Sequence, residues 1–278
     1  MTAAPSAQAR PITLRRIVMG VLLAVIGLAA VVYPWAFYLL ILAIGVASLY
    51  ELSNLCDIKG QPLEYPVAVI GVIAYIALSV FGLIHKWEGA LLAAIVIATF
   101  WLGIYGEEKG YFARTAYTLL AVLYIGKLLT YFVFIRQVPV TGLSWTVFVI
   151  VLIAMTDIMA MVVGSMIGRT KLTPTSPRKT LEGSLGALFI VTLLGAALGA
   201  SPFLHMHWWQ GAVLGALTSL AAQAGDLVES ALKRDAGVKD TGTAIAGHGG
   251  VLDRFDSYLF GGMAFFGTLH LLGFLQVQ

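Results

Sequence analysis

The stretch SWTVFVIVLIAMTDIMAMVVGSM, residues 144–166, carries a single charged side chain, Asp157. A helix that crosses a bilayer needs about 20 mostly apolar residues, so this run alone is long enough to span one. Working outward, similar runs occupy roughly 17–33, 36–54, 66–84, 89–105, 116–135, 184–202, 209–231 and 257–275. Together they predict an all-α polytopic membrane protein of about nine transmembrane helices. The first two runs meet near Tyr33-Pro34-Trp35, where proline favours a break, so they form either a hairpin or one broken helix. Composition agrees: of 278 residues, 59% are hydrophobic and 11% charged, with mean hydropathy +0.91, whereas a soluble domain carries roughly 25% charged residues. A soluble globular chain is excluded, and nine spans leave only about 100 residues for loops and ends. The lone Cys56 excludes an intramolecular disulfide and a Cys-rich zinc site. A net charge of +3 is too small to argue for nucleic acid, so the bilayer is the expected partner.

Orientation follows from the distribution of Lys and Arg. With the N-terminus in the cytoplasm, every Lys and Arg except Lys86, Lys127 and Arg136 falls on the cytoplasmic side, and the C-terminus ends outside. The N-terminal MTAAPSAQARPITLRR resembles the basic region of a signal peptide, but with many spans following it is expected to be retained as a first helix. The chain divides into spans one to five (1–142) and a charge-bearing second half (143–278) with cytoplasmic loops at 167–183 and 232–256. From residue 157 onward lie Asp157, Glu182, Asp226, Glu229, Asp235, Asp240, Asp253 and Asp256. Carboxylates mixed with Lys and Arg at one membrane face suggest a site for a polyanion plus a metal.

Span eight ends QAGDLVESALKR, which puts Gln223, Asp226, Ser230 and Lys233 on one helix face, with Glu229 and Arg234 beside them. A carboxylate inside a span is costly and by default functional. The plain alternative, charges at a helix end reaching the aqueous boundary, weighs more for Glu229 than for the deeper Asp226. In AGHGGVLDRFD, Asp253 and Asp256 share a face if span nine starts there, and acidic residues also simply favour a helix start. Asp226, Asp253 and Asp256 from two adjacent helix ends would supply the oxygen ligands that Mg²⁺ takes alongside substrate phosphates. His248 suits a phosphate or base contact better than a metal ligand, although a lone histidine in a Gly-rich loop is usually neither. The surrounding glycines permit a phosphate loop without naming one. The segment GRTKLTPTSPRKTLEG (168–183) is basic and stiffened by prolines, and positive-inside topology explains it equally well. Lys127 and Asp157, deep in their spans, are expected to pair or to line an aqueous cavity. His205 and His207 beside Trp208 and Trp209 read as an interfacial aromatic belt more readily than as a metal site. The Gly-x-x-x-Gly pairs 164/168, 195/199 and 211/215 permit close helix packing, within the bundle or in a homodimer.

The segment SALKRDAGVKDTGTAIAGHGGVLDRFD (230–256) closely resembles the signature of the CDP-diacylglycerol synthase, or phosphatidate cytidylyltransferase, family. Ser230, Lys233, Arg234, Lys239, Asp240, Gly242, Ile245, His248, Gly249, Gly250, Asp253, Arg254 and Asp256 match it at the right spacing. The preceding Gln-x-Gly-Asp with Asp226 and the Ser-Pro-x-Lys-Thr-x-Glu-Gly of 176–183 also look like that family. Three departures stand out: Ala246 replaces a usual proline, Met161 a common aromatic, and the 174–176 stretch is one residue short. The resemblance covers 157–256 well and the first half by hydropathy only.

The resemblance implies an enzyme that joins phosphatidate to CTP, giving CDP-diacylglycerol and pyrophosphate for phospholipid synthesis at a bacterial plasma (inner) membrane, with its active site facing the cytoplasm. It implies Mg²⁺, with a second cation left open, held by Asp226 and Asp253 as ligands and Asp256 as ligand or support. Lys233 and Lys239 take catalytic roles beside Asp226 and Asp253. Ser176, Arg178, Lys179, Ser230, Arg234, His248, Gly249, Gly250 and Arg254 contact substrate. The rival class is a secondary transporter, whose charges usually lie at the midplane among paired repeats; here charge crowds one face and no internal repeat is evident. The Asp-rich pattern of CDP-alcohol phosphotransferases is absent from the sequence.

Overall fold

The computed structural model describes residues 27, 29–105, 110–204, 206–242 and 249–275. Eight helices order these residues: α1 (Pro34–Ile58), α2 (Tyr65–Val80), α3 (Ile84–Ile104), α4 (Tyr111–Gln137), α5 (Gly142–Ile167), α6 (Leu181–Gly199), α7 (Trp208–Asp235) and α8 (Leu252–Leu271). The described residues contain no strand, and Lys171 and Thr180 form an isolated antiparallel bridge. By length and composition, α1 and α3 to α7 are six helices able to cross a membrane. The first expected span, 17–33, falls mostly outside the described residues, and residues 29–32 near its end are helical. The expected break between it and the second lies at Tyr33, which is extended (φ −98, ψ 114) ahead of Pro34 in the first turn of α1.

Two boundaries differ from the sequence reading. The run 66–84 yields the 16-residue α2, about 24 Å at 1.5 Å per residue, short of the roughly 30 Å hydrocarbon core. Gly82, in the left-handed region at φ +69, turns the chain there, and α3 begins at Ile84. Lys86, expected in a loop, therefore stands in the first turn of α3. The second difference lies within α4, where Val122–Lys127 winds as a π-helix, a form with no separate apolar-run signal.

The second half is tied together by close backbone approach. A Cβ on Gly195 would lie 2.3 Å from the Gly211 carbonyl oxygen, and one on Gly211 would lie 2.2 Å from that of Gly195. The 195/199 and 211/215 pairs thus face each other across α6 and α7 inside the monomer, and Gly164 and Gly168 close onto Thr180. Trp145 of α5 packs against Phe265 of α8 with ring centroids 6.2 Å apart, and Phe132 of α4 fills the space over Gly262. The bundle also sorts its ends. At one end Lys59 pairs with Asp235, Arg114 with Glu64, and Arg234 donates to the Thr175 carbonyl. At the other, Arg136 donates to the Val31 carbonyl and Gln137 to that of Val80. The Lys59 hydrogen bond to Asp235 holds that ammonium above its usual pKa.

Candidate active site

The site forms where α7 and α8 nearly touch. A Cβ on Gly225 would lie 2.5 Å from the Asp256 carbonyl oxygen, so glycine here lets the first turns of α8 settle against α7. The neighbouring Asp226 and Glu229 of α7 then meet Asp256 of α8, each offering an oxygen within 4.8 Å of the others. Glu229 is fully buried and Asp256 is 6% exposed. Clustered carboxylates of this kind are costly unless a cation joins them, and hard oxygen donors suit a metal ion. Glu229, for which a helix-end charge was the plain alternative, is inside this group. Asp157 of α5 is bound by the Ser257 hydroxyl at 3.2 Å.

Beside the acidic group opens a cavity of about 220 Å³, lined by Asp157, Met161, Arg178, Lys179, Gln223 and Asp226 among others. Its rim is the α5–α6 loop, which folds on itself: Leu172 N–H donates to Lys179 O, and Leu181 N–H to Thr170 O. Glu182 accepts the Arg169 and Thr170 N–H groups at 3.1 Å, and Thr180 caps α6 by accepting from Gly183 N–H. This folding sends the Lys179 ammonium to Asp226 at 2.5 Å. Arg178 is exposed at the rim and Ser176 half-buried nearby. Met161, one of the three departures from the resemblance, forms part of the cavity wall.

The last turn of α7 supplies the other cationic group. Lys233 bridges Glu229 at 2.5 Å and Asp253 at 2.7 Å. The second Asp253 oxygen accepts the Gly250 N–H at 2.8 Å and the Thr241 N–H at 3.1 Å. Gly249 takes φ +88, a conformation open to glycine, and a Cβ there would lie 2.8 Å from the Asp253 carboxylate. Asp253 is thus engaged by Lys233 and the loop backbone, and the described carboxylates that converge are Asp226, Glu229 and Asp256. Ser230 is buried in α7, whereas Arg234, Lys239 and Arg254 reach the exposed end. His248 and Ala246 lie outside the described residues, as does His205. The His207 N–H donates to Gln210 Oε1 at the start of α7.

Lys127 corrects one expectation. Its ammonium pairs with Glu88 of α3 and lies over the Tyr75 ring, away from Asp157. Asp157 does line the cavity, as the other half of that expectation required. The residue that sequence reasoning missed is Glu51 of α1. It is 2% exposed and accepts from Thr241 Oγ1 at 3.0 Å, Val251 N–H at 2.8 Å and Leu252 N–H at 2.8 Å. The available signal was a carboxylate inside an apolar run; its partners are some 190 to 200 positions away.

Comparison with known proteins places these features in a wider group. Residues 13–272 match the model of the Cytidylyltransferase family. The chain is 35% identical over 253 residues to the phosphatidate cytidylyltransferase of Bacillus subtilis (strain 168), covering 88% of this chain and 93% of that protein. It is 31% identical over 245 residues to the protein of that name from Staphylococcus epidermidis (strain ATCC 12228 / FDA PCI 1200), covering 84% and 87%. The same identity extends over 240 residues of the Staphylococcus aureus (strain COL) protein, again covering 84% and 87%.

Proposed function

Because the chain belongs to the cytidylyltransferase family, we propose that it is a CTP:phosphatidate cytidylyltransferase of a bacterial inner membrane, working at the cytoplasmic face. A lipid phosphate oxygen attacks the α-phosphorus of CTP. A new P–O bond forms, the bond from the α-phosphorus to the bridging oxygen breaks, and pyrophosphate leaves with CDP-diacylglycerol as the other product. A phosphomonoester is already largely ionised at neutral pH, so no general base is required. The demand is for cations that neutralise, align and stabilise the leaving group.

The observation that carries this reading is the buried group of Asp226, Glu229 and Asp256 beside a cavity rimmed by Arg178 and Lys179. Asp226 and Asp256 would hold Mg²⁺, with Glu229 or Asp253 completing the carboxylate set. The ion, when bound, neutralises phosphate charge and acts as a Lewis acid at the α-phosphate. Lys179, held by Asp226 in the free enzyme, is placed to transfer to a substrate phosphate. Lys233, Lys239, Arg234 and Arg254 gather at the same end for the triphosphate, with Ser176, Ser230, His248, Gly249 and Gly250 as further contacts. The location at the ends of α7 and α8 lets the lipid keep its acyl chains in the bilayer while its headgroup meets a soluble nucleotide. Purified protein given CTP, phosphatidate and Mg²⁺ is expected to release pyrophosphate in equal amount to CDP-diacylglycerol. Movement of a substrate across vesicles without that release would overturn the proposal and favour a transporter.

A further inference from the structure

Glu51 stands in the first half of the chain, yet its three hydrogen bonds among the described residues go to the two ends of the α7–α8 loop. One oxygen takes the Val251 N–H; the other takes the Thr241 hydroxyl and the Leu252 N–H. The carboxylate therefore satisfies two amides at the start of α8 and binds the outgoing strand of the loop to the returning one. The loop is shaped around it. A Cβ on Gly250 would lie 2.3 Å from one Glu51 oxygen and 2.1 Å from Thr241 Oγ1, and one on Gly242 would lie 2.8 Å from the other Glu51 oxygen. The glycines at these two positions make room for a buried carboxylate contributed by another helix.

The neck that Glu51 closes is the part of the loop that holds Asp253. With Thr241 and Gly250 brought side by side, both N–H groups reach a single Asp253 oxygen, and the other Asp253 oxygen fixes Lys233, which also reaches Glu229. A continuous set of contacts thus runs from α1 through the loop to the acidic group. We propose that Glu51 is a positioning residue for the cytidylyl transfer: it closes the neck of the α7–α8 loop and so sets Asp253, Lys233 and the first turn of α8 in their working places. This rests on the functional reading above, since it assigns Glu51 to that same site.

Glu51→Gln keeps size and polarity but presents an NH₂ group to at least one donor. Glu51→Ala leaves the two amides and the Thr241 hydroxyl without their acceptor. Both variants are expected to keep the wild-type helix content in detergent. The kcat should fall about 10- to 100-fold for Glu51→Ala, as for other residues that orient catalytic groups, and less for Glu51→Gln, while KM for CTP changes much less. Hydrogen–deuterium exchange on the unliganded protein should accelerate in peptides covering 249–256 and stay unchanged in α2, α3 and α6. Gly242→Ala should cost less in the Glu51→Ala background than in the wild type, because the three atoms nearest the added methyl all belong to the Glu51 side chain and the methyl then enters vacated space. The inference is overturned if Glu51→Gln and Glu51→Ala keep wild-type kcat, if exchange at 249–256 is unchanged, if exchange rises throughout the chain, or if the two substitutions act independently. A wild-type protein that releases no pyrophosphate overturns the proposed function instead, and the exchange measurement still reads the clamp.

Discussion

Lys127 and Glu88, on α4 and α3, form an ion pair in which each charge meets one opposite partner. At the α7–α8 end, by contrast, Asp157, Asp226, Glu229, Asp253 and Asp256 gather around Lys179 and Lys233. The first group is balanced within the protein, and such a pair holds two helices together. The second carries more carboxylates than cationic side chains among the described residues, and its surplus is what an incoming cation would neutralise. Charges inside a membrane bundle are costly in either place; what separates a packing device from a reaction site is whether the protein balances them itself.

The comparison breaks most decisively at the unbalanced site. Asp226→Asn should reduce pyrophosphate release by about 1000-fold or more, the scale of losing a principal electrostatic contact at the reacting phosphate, while detergent-solubilised protein keeps its helical circular dichroism. Chelation of divalent ions should abolish turnover in the wild type and be reversed by adding Mg²⁺ back. Lys179→Met should lower kcat by about 100-fold, read with CTP saturating, because a cation that faces Asp226 before substrate arrives would no longer be there for the phosphate.

At the balanced pair the consequence should be stability rather than turnover. Lys127→Met strands Glu88 and should cost about 2–3 kcal/mol, below the range for fully buried pairs because both side chains are partly accessible. Adding Glu88→Gln should recover most of that loss in a thermal melt, with activity per folded molecule unchanged throughout. The smallest effect should come from a region without charge. Gly195→Ala pushes α6 off α7 and should cost on the order of 1–3 kcal/mol by overpacking, leaving the oligomeric state seen by size exclusion unaltered because those glycines meet inside the monomer.

Much of this was legible in the sequence where chemistry and spacing coincide. The α7 face carrying Gln223, Asp226, Ser230 and Lys233 follows from helical periodicity, and the structure places the cavity beside it. The helical character of the runs was equally readable, since apolar length alone announces it. What escaped reading depends on contacts distant in sequence. Nothing local distinguishes Glu51 as the acceptor for Thr241, Val251 and Leu252, and nothing in the periodicity of α4 says that Lys127 faces Glu88 rather than Asp157. The engagement of Asp253 by Lys233 and two backbone amides also had no linear signature, because it follows from how the loop closes. The early end of α2 turns on the backbone at Gly82, which hydropathy cannot see.

The π-helical stretch Val122–Lys127 has a consequence for this chain's tolerance of length changes. Wider turns of this kind accommodate an additional residue relative to regular α-helix, so deleting a single position there could leave a well-formed rod. Removing that extra residue restores regular winding with little change in the phase of the flanking segments. A deletion in a regular turn of α4 would instead swing the segment beyond it by about 100°, so that contacts on the two sides of the deletion, such as that of Tyr124 with Phe260 of α8 or that of Lys127 with Glu88, would lose their common register. In this helix the count of residues is constrained in the regular turns and least so between Val122 and Lys127.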